Sequence, residues 1–331
     1  MRILVVGLGS IAQRHIRNIK SLSPKAKIAV FRQKTKKVDK DCSKVVDQFF
    51  FNWDEAFGWD PHLVLITNPA SFHIKTALRW AQKGCHLFIE KPLSHNLVGV
   101  DQLLKICKKK QLVLMVGYNM RFLEPLVIIK QALEEGKIGR ILYVRASVGQ
   151  YLPDWRPKSD YRQGVSARKS LGGGAVLELS HELDYIRWFI GEFKSVLALT
   201  KKLSDLKIDV EDTAEIILES QQGMLVSIHL DMIDRLGNRC CQIVGTQGSL
   251  LWESQRNNRV RLFSAQEHKW KELRPAKALD INKMYLEELS HFFECVDSNT
   301  TPCVSGEDGR RIVEVILAIQ RSSQKQKRIK L

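Results

Sequence analysis

The feature that most constrains this chain is a glycine turn placed directly after its first apolar run. The segment RILVVG (2–7) is typical of a buried strand, and residues 8–20 show the apolar spacing of a helix. Between them Gly7, Gly9 and Ala12 form the pattern G-x-G-x-x-A, which permits a tight turn and close approach of a ligand to the backbone. Because a strand precedes the pattern and a helix follows it, we predict a loop that binds the pyrophosphate of a dinucleotide.

The end of the next predicted strand, KIAVF (27–31), bears on which dinucleotide is bound. NAD enzymes usually carry Asp or Glu there for the ribose 2′-hydroxyl, whereas NADP enzymes offer an arginine to the 2′-phosphate. This chain continues with Arg32, Gln33 and Lys34 and has no acidic side chain at these positions. Because a guanidinium binds phosphate bidentately, we favour NADP(H). NAD(H) remains the alternative, with Arg32 as an ordinary surface arginine.

Further strand-like runs alternate with helical segments through the rest of the first 120 residues. They are LVLIT (63–67), HLFIE (86–90) and LVLMVG (112–117). This alternation predicts a Rossmann domain over 1–120, with a doubly wound parallel sheet whose ligand lies beyond the carboxyl ends of the strands. The residues at those ends are candidate cofactor contacts: Thr67, Asn68, Pro69, Glu90, Lys91 and Pro92.

The pattern changes after Arg121 to one helix followed by many strand-like runs. A last helix is predicted after SGED (305–308), which has the form of a capping box. Because 331 residues exceed what one hydrophobic core usually supports, we predict a second domain over 121–331. Its class is α+β, with a large open mixed or antiparallel sheet.

The stretch LGGGAVLELSHELDY (171–185) carries a candidate acid–base cluster. Glu178, His181 and Asp184 lie three residues apart and would share one face of a helix. A histidine suits removal of a hydroxyl proton because its ordinary pKa is near neutrality, and a carboxylate beside it would raise its basicity. Either acid could do this, and a purely structural Asp184 is equally open. The three glycines favour close approach by a substrate or nicotinamide over a plain loop before the helix.

Five motifs together indicate a family, because they occur in the order GLGSIAQRH, TNPASFH, EKPLS, GYNMRF and GGGAVLELSHELDY. Along nearly its whole length the chain resembles the Gfo/Idh/MocA family of NAD(P)-dependent oxidoreductases. Many relatives have an aspartate four residues before the histidine, where this chain has Leu177, with Glu178 one residue later. The resemblance implies these cofactor contacts: Gly7, Gly9, Ser10 and Ile11 at the pyrophosphate, Arg32 at the adenosine ribose, and Asn68, Pro69 and His73 beside them.

The resemblance also implies the catalytic residues. Lys91 is similar to the family's lysine near the nicotinamide, often followed by a cis-proline, here Pro92, and His181 to its catalytic histidine. A lysine so placed can hydrogen-bond the substrate oxygen and stabilise developing alkoxide charge. From GYNMRF we assign Asn119 to the cofactor and Arg121 to the substrate. One face of the second domain's sheet is expected to cover the nicotinamide and the other to build a homodimer or homotetramer.

The segment YLPDWRPKSDYRQGVSARKS (151–170) is rich in aromatic and basic residues. Aromatic faces stack on sugar rings, and guanidinium groups bind carboxylate or phosphate. We therefore predict a sugar or cyclitol that carries an anionic group, such as a sugar phosphate or a nucleotide sugar. A basic surface loop that closes over the cofactor is an equal alternative. The candidate substrate contacts in this segment are Tyr151, Trp155, Arg156, Arg162 and Lys169.

Composition narrows the classes of partner. The formal charge is +16, but the basic clusters have no aromatic platform or recognition helix beside them, so nucleic acid is not expected. No apolar run approaches the roughly 20 residues that span a bilayer. The first strand begins at residue 2, which leaves no room for a secretory leader, so we expect a cytoplasmic protein. The seven scattered cysteines are read as reduced thiols, and no metal site is expected.

Two other functions stay open. A protein of this fold could bind the dinucleotide as a sensing regulator without turnover, or could reduce a substrate that is not a sugar. Lys91 and His181 together favour an enzyme, because a sensor does not need a proton-transfer pair.

Overall fold

The computed structural model describes residues 1–32 and 44–331. Gln33 and Lys34, which entered the cofactor prediction, and Cys42 lie outside the described residues. The chain divides into two compact units, Met1–Asn119 with Asn282–Val313, and Met120–Ile281 with Glu314–Leu331. Residues 282–313 thus belong with the first unit, whereas the sequence prediction placed all of 121–331 in the second.

The first unit is built on a parallel sheet with strand order β3-β2-β1-β4-β5-β6. The predicted doubly wound sheet is confirmed. Its central strands are apolar on both faces because helices cover each side, and every residue of the fourth strand is buried. The elements are β1 (Arg2–Val6), α1 (Ser10–Leu22), β2 (Lys27–Phe31), β3 (Gln48–Phe50), α2 (Trp53–Gly58), β4 (Leu63–Ile66), α3 (His73–Lys83), β5 (His86–Glu90), α4 (Val100–Lys109) and β6 (Leu114–Gly117).

The second unit contains a mixed sheet with strand order β14-β13-β12-β11-β7-β10-β9-β8-β15. Strands β7 and β10 run parallel and the other neighbours antiparallel, so the predicted mixed sheet is confirmed. The elements are α5 (Glu124–Glu134), β7 (Ile141–Gly149), α6 (Ala175–Glu178), α7 (His181–Ile190), β8 (Phe193–Lys201), β9 (Thr213–Ser220), β10 (Leu225–Asp231), β11 (Asn238–Gly245), β12 (Gly248–Glu253), β13 (Arg259–Ser264), β14 (Lys269–Arg274) and β15 (Ile329–Lys330).

Two long helices follow, α8 (Ile281–Ser298) and α9 (Gly306–Lys325). Within the first unit, Phe292 of α8 packs edge-on against Phe88 of β5, with ring centroids 5.6 Å apart. The predicted capping box at the start of α9 is present, because Asp308 N donates to Ser305 Oγ at 3.2 Å and Ser305 N to Asp308 Oδ2 at 2.9 Å. Among the helices described, none is long and apolar enough to cross a membrane.

Candidate active site

The predicted pyrophosphate loop joins β1 to α1. Gly7 has φ +104°, and a Cβ there would lie 3.0 Å from Thr67 Oγ1, so a glycine lets the ends of β1 and β4 approach. No described atom lies within 4 Å of a Cβ built on Gly9. The exposed first turn of α1, at Ser10, receives no side-chain cap from the described residues. Backbone N–H groups at such a helix start, together with the helix dipole, favour an anion.

A cavity of about 570 Å³ adjoins this loop. Its lining includes the predicted residues Gly7, Arg32, Asn68 and Pro69. The full described lining is Val6, Gly7, Leu8, Phe31, Arg32, Trp53, Asn68, Pro69, Phe72, Lys75, Thr76 and Arg79. The geometry fits a dinucleotide, because the cavity and the open helix start lie together at the carboxyl ends of the strands.

Two cations of this cavity, Lys75 and Arg79, were not found by the sequence analysis. They lie four residues apart on α3, so they share one helical face, and the Arg79 guanidinium lies 5.1 Å from the centroid of the Trp53 ring. The sequence does carry a signal for them, because a spacing of four residues on the helix after TNPASFH places both cations on one face. With Arg32 they place three positive charges on one cavity, which favours an anionic ligand.

His73 links the loops that follow β4 and β5. Its ring is buried, with Nε2 2.7 Å from Asn68 O and Nδ1 2.9 Å from Pro92 O. Burial lowers the pKa of His73, while the hydrogen bonds to the Asn68 and Pro92 carbonyl oxygens oppose this shift. The Asn68 amide in turn donates to Thr76 Oγ1 at 3.0 Å. These bonds hold the loops in shape, and the predicted cofactor contact of His73 stays a prediction.

Glu90 and Lys91 end β5 and begin the next loop. His15 Nε2 lies 2.6 Å from Glu90 Oε1, and Lys91 N donates to Glu90 Oε2 at 3.3 Å. The Lys91–Pro92 peptide bond is cis. Burial raises the pKa of Tyr285, a residue of α8 that the sequence analysis did not single out, and the Asn119 side chain opposes this shift. The Lys91 side chain is half-buried, which leaves part of its surface accessible.

In the second unit, the glycine triplet before α6 is required by the packing of the chain itself. Gly172 and Gly174 have φ of +84° and +111°, where side chains other than glycine are strained. A Cβ on Gly173 would overlap the Val165 carbonyl oxygen, and one on Gly174 would lie 2.5 Å from Glu211 Oε1. These contacts explain the glycines without a ligand, and the close approach of a substrate or nicotinamide stays a prediction.

The predicted acid–base cluster lies on two helices instead of one. Glu178 ends α6 and His181 begins α7, with Leu179 and Ser180 between the helices. Glu178 Oε2 accepts a hydrogen bond from Ser166 Oγ at 2.9 Å. The sequence expectation of a continuous helix was wrong at this point, while the spacing of the three residues along the chain is unchanged.

Asp184 forms a bidentate ion pair with Arg121. Arg121 Nε donates to Asp184 Oδ2 at 2.9 Å and Nη2 to Oδ1 at 2.6 Å, with both residues buried. The Arg121 guanidinium therefore already has a partner within the protein. Its predicted contact with the substrate stays a prediction. A second buried acid of α7, Glu182, pairs with Arg239 Nε of β11 at 2.9 Å. The two pairs anchor the helix that begins at His181.

The segment 151–170 forms short 3-10 turns and carries several exposed cations. Arg162 pairs with Asp160, with Nε 2.8 Å from Oδ1 and Nη2 3.0 Å from Oδ2, so a neighbouring acid offsets its charge. The Tyr151 ring lies 4.0 Å from the guanidinium of Arg235, and Trp155 Nε1 donates to Gln150 O. Substrate contacts by Tyr151, Trp155, Arg156, Arg162 and Lys169 stay predictions.

A parallel sheet with a glycine turn, an open helix start and an adjoining cationic cavity defines a dinucleotide-binding protein. Residues 1–118 match the model of the oxidoreductase family's NAD-binding Rossmann fold, and residues 130–331 match that of its C-terminal α/β domain. The chain therefore belongs to the Gfo/Idh/MocA family, and it is an NAD(P)-dependent oxidoreductase.

Two named relatives align with the chain over almost its whole length. It is 28% identical to myo-inositol 2-dehydrogenase of Thermotoga maritima, over 100% of this chain and 98% of the relative. It is 25% identical to scyllo-inositol 2-dehydrogenase (NAD(+)) of Bacillus subtilis, over 97% and 94%.

Solved structures share the fold at lower identity. A levoglucosan dehydrogenase in complex with NADH has a TM-score of 0.89 at 20% identity, covering 100% of this chain and 98% of that one. The WlbA dehydrogenase of Bordetella pertussis, in complex with NADH and UDP-GlcNAcA, has a TM-score of 0.82 at 23% identity with the same coverage.

Proposed function

We propose that the protein is a dehydrogenase or reductase of a sugar, cyclitol or sugar derivative. The observation that carries this proposal is the match, over nearly their whole length, to relatives named as inositol dehydrogenases. When bound, the dinucleotide supplies or accepts a hydride at a hydroxyl or carbonyl carbon of the substrate. The protein supplies the proton chemistry and the orientation.

His181 takes the proton of the substrate hydroxyl in the oxidative direction and returns it in the reductive direction. Lys91 donates a hydrogen bond to the same oxygen and stabilises its developing negative charge. Glu178 is the better candidate to orient His181, because both oxygens of Asp184 accept from the positively charged Arg121. Positioned acid–base catalysis of this kind contributes about 10²- to 10⁴-fold to the rate.

The test of this function is the variant His181→Ala, assayed by dinucleotide absorbance with inositols and sugars. An acid–base role predicts that turnover falls by about 100-fold or more while dinucleotide binding is retained. Unchanged turnover would exclude His181 from the chemistry. Absence of turnover in the wild type with every sugar and cyclitol would favour a reductase of another substrate or a sensing regulator.

NADP(H) is the cofactor we favour within this function. Arg32, Lys75 and Arg79 line one cavity, and none of the described residues that line it is acidic. A ribose 2′-phosphate is anionic and would complement these charges, whereas a ribose diol is neutral and would not. The NADH complexes of levoglucosan dehydrogenase and WlbA support NAD(H) as the alternative. Parallel fluorescence titrations with NADPH and NADH decide between the two.

The substrate carries an anionic group in this proposal, as a sugar phosphate or nucleotide sugar does. Arg156 and Lys169 are exposed in the segment 151–170, and the WlbA structure contains a nucleotide sugar acid. Replacing Arg156 with Ala should raise KM for an anionic sugar and leave KM for the matching neutral sugar unchanged. Equal effects on both sugars, or on neither, would remove the anionic group from the proposal.

A homodimer or homotetramer is proposed through one face of the second unit's sheet. Leu197 of β8 pairs in register with Ile217 of β9, and the two side chains are 46% and 52% exposed. Leu199 and Leu225 lie on the same face and are 55% and 58% exposed. Exposed apolar rows of this kind indicate an interface. Light scattering should show an oligomer that Ile217→Glu dissociates. A cytoplasmic location stays a prediction.

A further inference from the structure

His15 is a fully buried polar residue on α1, the helix that begins at the pyrophosphate loop. Its Nε2 lies 2.6 Å from Glu90 Oε1. Among the residues that the structure describes, Nδ1 has no hydrogen-bond partner. The bond to Glu90 therefore compensates for the burial of this imidazole, with the hydrogen on Nε2 and the carboxylate accepting.

The Glu90 carboxylate is confined on its other side as well. Its Oε2 accepts from Lys91 N at 3.3 Å. Glu90 is paired in register with Gly117 of the neighbouring strand β6, and a Cβ on Gly117 would lie 3.3 Å from Oε2. The glycine thus leaves the space in which the carboxylate lies. Two hydrogen bonds, from His15 and from the Lys91 backbone, therefore hold the carboxylate in the space that Gly117 leaves.

Aromatic rings fix the orientation of the imidazole. The His15 ring lies edge-on to Phe88 of β5, with centroids 5.2 Å apart, and edge-on to Tyr285 of α8, with centroids 6.1 Å apart. Tyr285 belongs to the segment 282–313 of the first unit. Packing in this form restricts the ring to one orientation, as edge-to-face aromatic contacts do.

We propose that His15 is a positioning residue that holds Glu90 and, through Glu90, the backbone from which the Lys91 side chain extends. The inference rests on the proposed function, in which Lys91 binds the reacting oxygen of the substrate. It also gives α1 two roles, since the same helix binds the dinucleotide at its first turn and holds Glu90 one turn later. Misplacing a reacting group by about 1 Å can cost roughly 100-fold in rate.

The first test compares two substitutions of similar size, His15→Leu and His15→Gln. Glutamine can still donate a hydrogen bond to Glu90, whereas leucine cannot. His15→Leu should lower kcat by about 10- to 100-fold, with the Kd of the dinucleotide nearly unchanged. His15→Gln should recover most of this loss. If leucine retains wild-type kcat, or glutamine performs no better than leucine, His15 does not position Lys91.

A matched control separates positioning from stability. Asn18 is also buried on α1, and its amide exchanges hydrogen bonds of 3.2 and 2.9 Å with the Asn282 amide. Asn18→Ala should lower Tm while leaving kcat at its wild-type value. If Asn18→Ala lowers kcat as much as His15→Leu does, the loss of kcat comes from lower stability and not from the position of Lys91. That result would overturn the proposal.

A second readout does not depend on turnover. Lys91 can be labelled with an amine-specific reagent and its labelling rate followed by peptide mass spectrometry, with Lys83 of α3 as the internal reference. His15→Leu should raise the labelling rate of Lys91 several-fold, and His15→Gln should restore it. An unchanged rate overturns the proposal. If the wild type turns over no sugar or cyclitol with either dinucleotide, the proposed function fails, and this labelling experiment still decides the role of His15.

Discussion

Arg121 and Asp184 form a buried, two-bond ion pair in the second unit, with side chains only 5% and 1% exposed. Asp184 lies one turn beyond His181 on α7, so the pair fixes the helix that presents the histidine. Burying both charges is costly, and the mutual attraction compensates only while both partners are present. The pair therefore matters more for the geometry of α7 than for net stability.

The variant Arg121→Met should lower the free energy of unfolding by about 3–5 kcal/mol, because it leaves the Asp184 carboxylate buried without its partner. Urea denaturation followed by circular dichroism measures this change. The double variant Arg121→Met/Asp184→Leu should recover most of the loss, since no uncompensated charge remains. A double variant as unstable as the single one would show that the loss comes from packing alone.

Gly174→Ala should destabilise the protein by about 1–3 kcal/mol, because φ is +111° and the new Cβ would meet the Glu211 carboxylate. Gly223 provides a matched control, since its φ is +82° but no described atom lies within 4 Å of a Cβ built there. Gly223→Ala should therefore cost less. Both variants carry the cost of backbone strain, and only Gly174→Ala adds steric overlap with Glu211. Thermal unfolding measures the loss of stability in each, and equal losses would contradict the role given to Glu211.

The cations of the cofactor cavity are expected to strengthen the binding of NADPH more than that of NADH. The double variant Lys75→Ala/Arg79→Ala should weaken NADPH binding by about 10²- to 10⁴-fold, since two charge-assisted hydrogen bonds are lost and each is worth roughly 1.5–3 kcal/mol. NADH binding should change far less. Lys83→Ala is the control, because Lys83 lies on the same helix but outside the described lining of the cavity. Equal losses for NADPH and NADH would mean that the cations bind a part shared by both.

The local order of elements could be predicted from the sequence. The turn at Gly7 follows from strand, glycine and helix signals that lie within about 20 residues of each other. The parallel sheet and the cap at Ser305 depend on similarly local patterns. The order of the five motifs likewise indicates the family from the sequence alone.

Contacts between distant residues could not be predicted in the same way. The return of α8 to the first unit depends on packing of Phe292 against Phe88, which no periodicity encodes. The sequence showed that the glycine triplet is unusual, yet the Val165 carbonyl and the Glu211 carboxylate that require it lie elsewhere in the chain. Arg239 was missed for the same reason, since its partner Glu182 lies far from it along the chain.

His229 is expected to make the stability of the folded protein depend on pH. On the exposed face of β10, its Nε2 lies 2.9 Å from Asp231 Oδ2 and its Nδ1 2.6 Å from Glu215 Oε1. The hydrogen bond to Asp231, with a further contribution from Glu215, raises the pKa of His229 from 6.5 to about 9, although burial opposes the shift. The folded protein therefore binds this proton more tightly than the unfolded chain does.

It follows that the stabilisation from the protonated ring is complete below pH 6.5 and is lost as pH rises through about 9. Thermal unfolding of the wild type and His229→Gln across this range measures it. The difference in Tm should be largest at the acidic end and should shrink toward alkaline pH, and it should be modest because the side chain is 38% exposed. His268→Gln, which removes an exposed imidazole outside this cluster, should show no such trend. A difference in Tm between wild type and His229→Gln that stays constant with pH would mean that the ring contributes by packing rather than by charge.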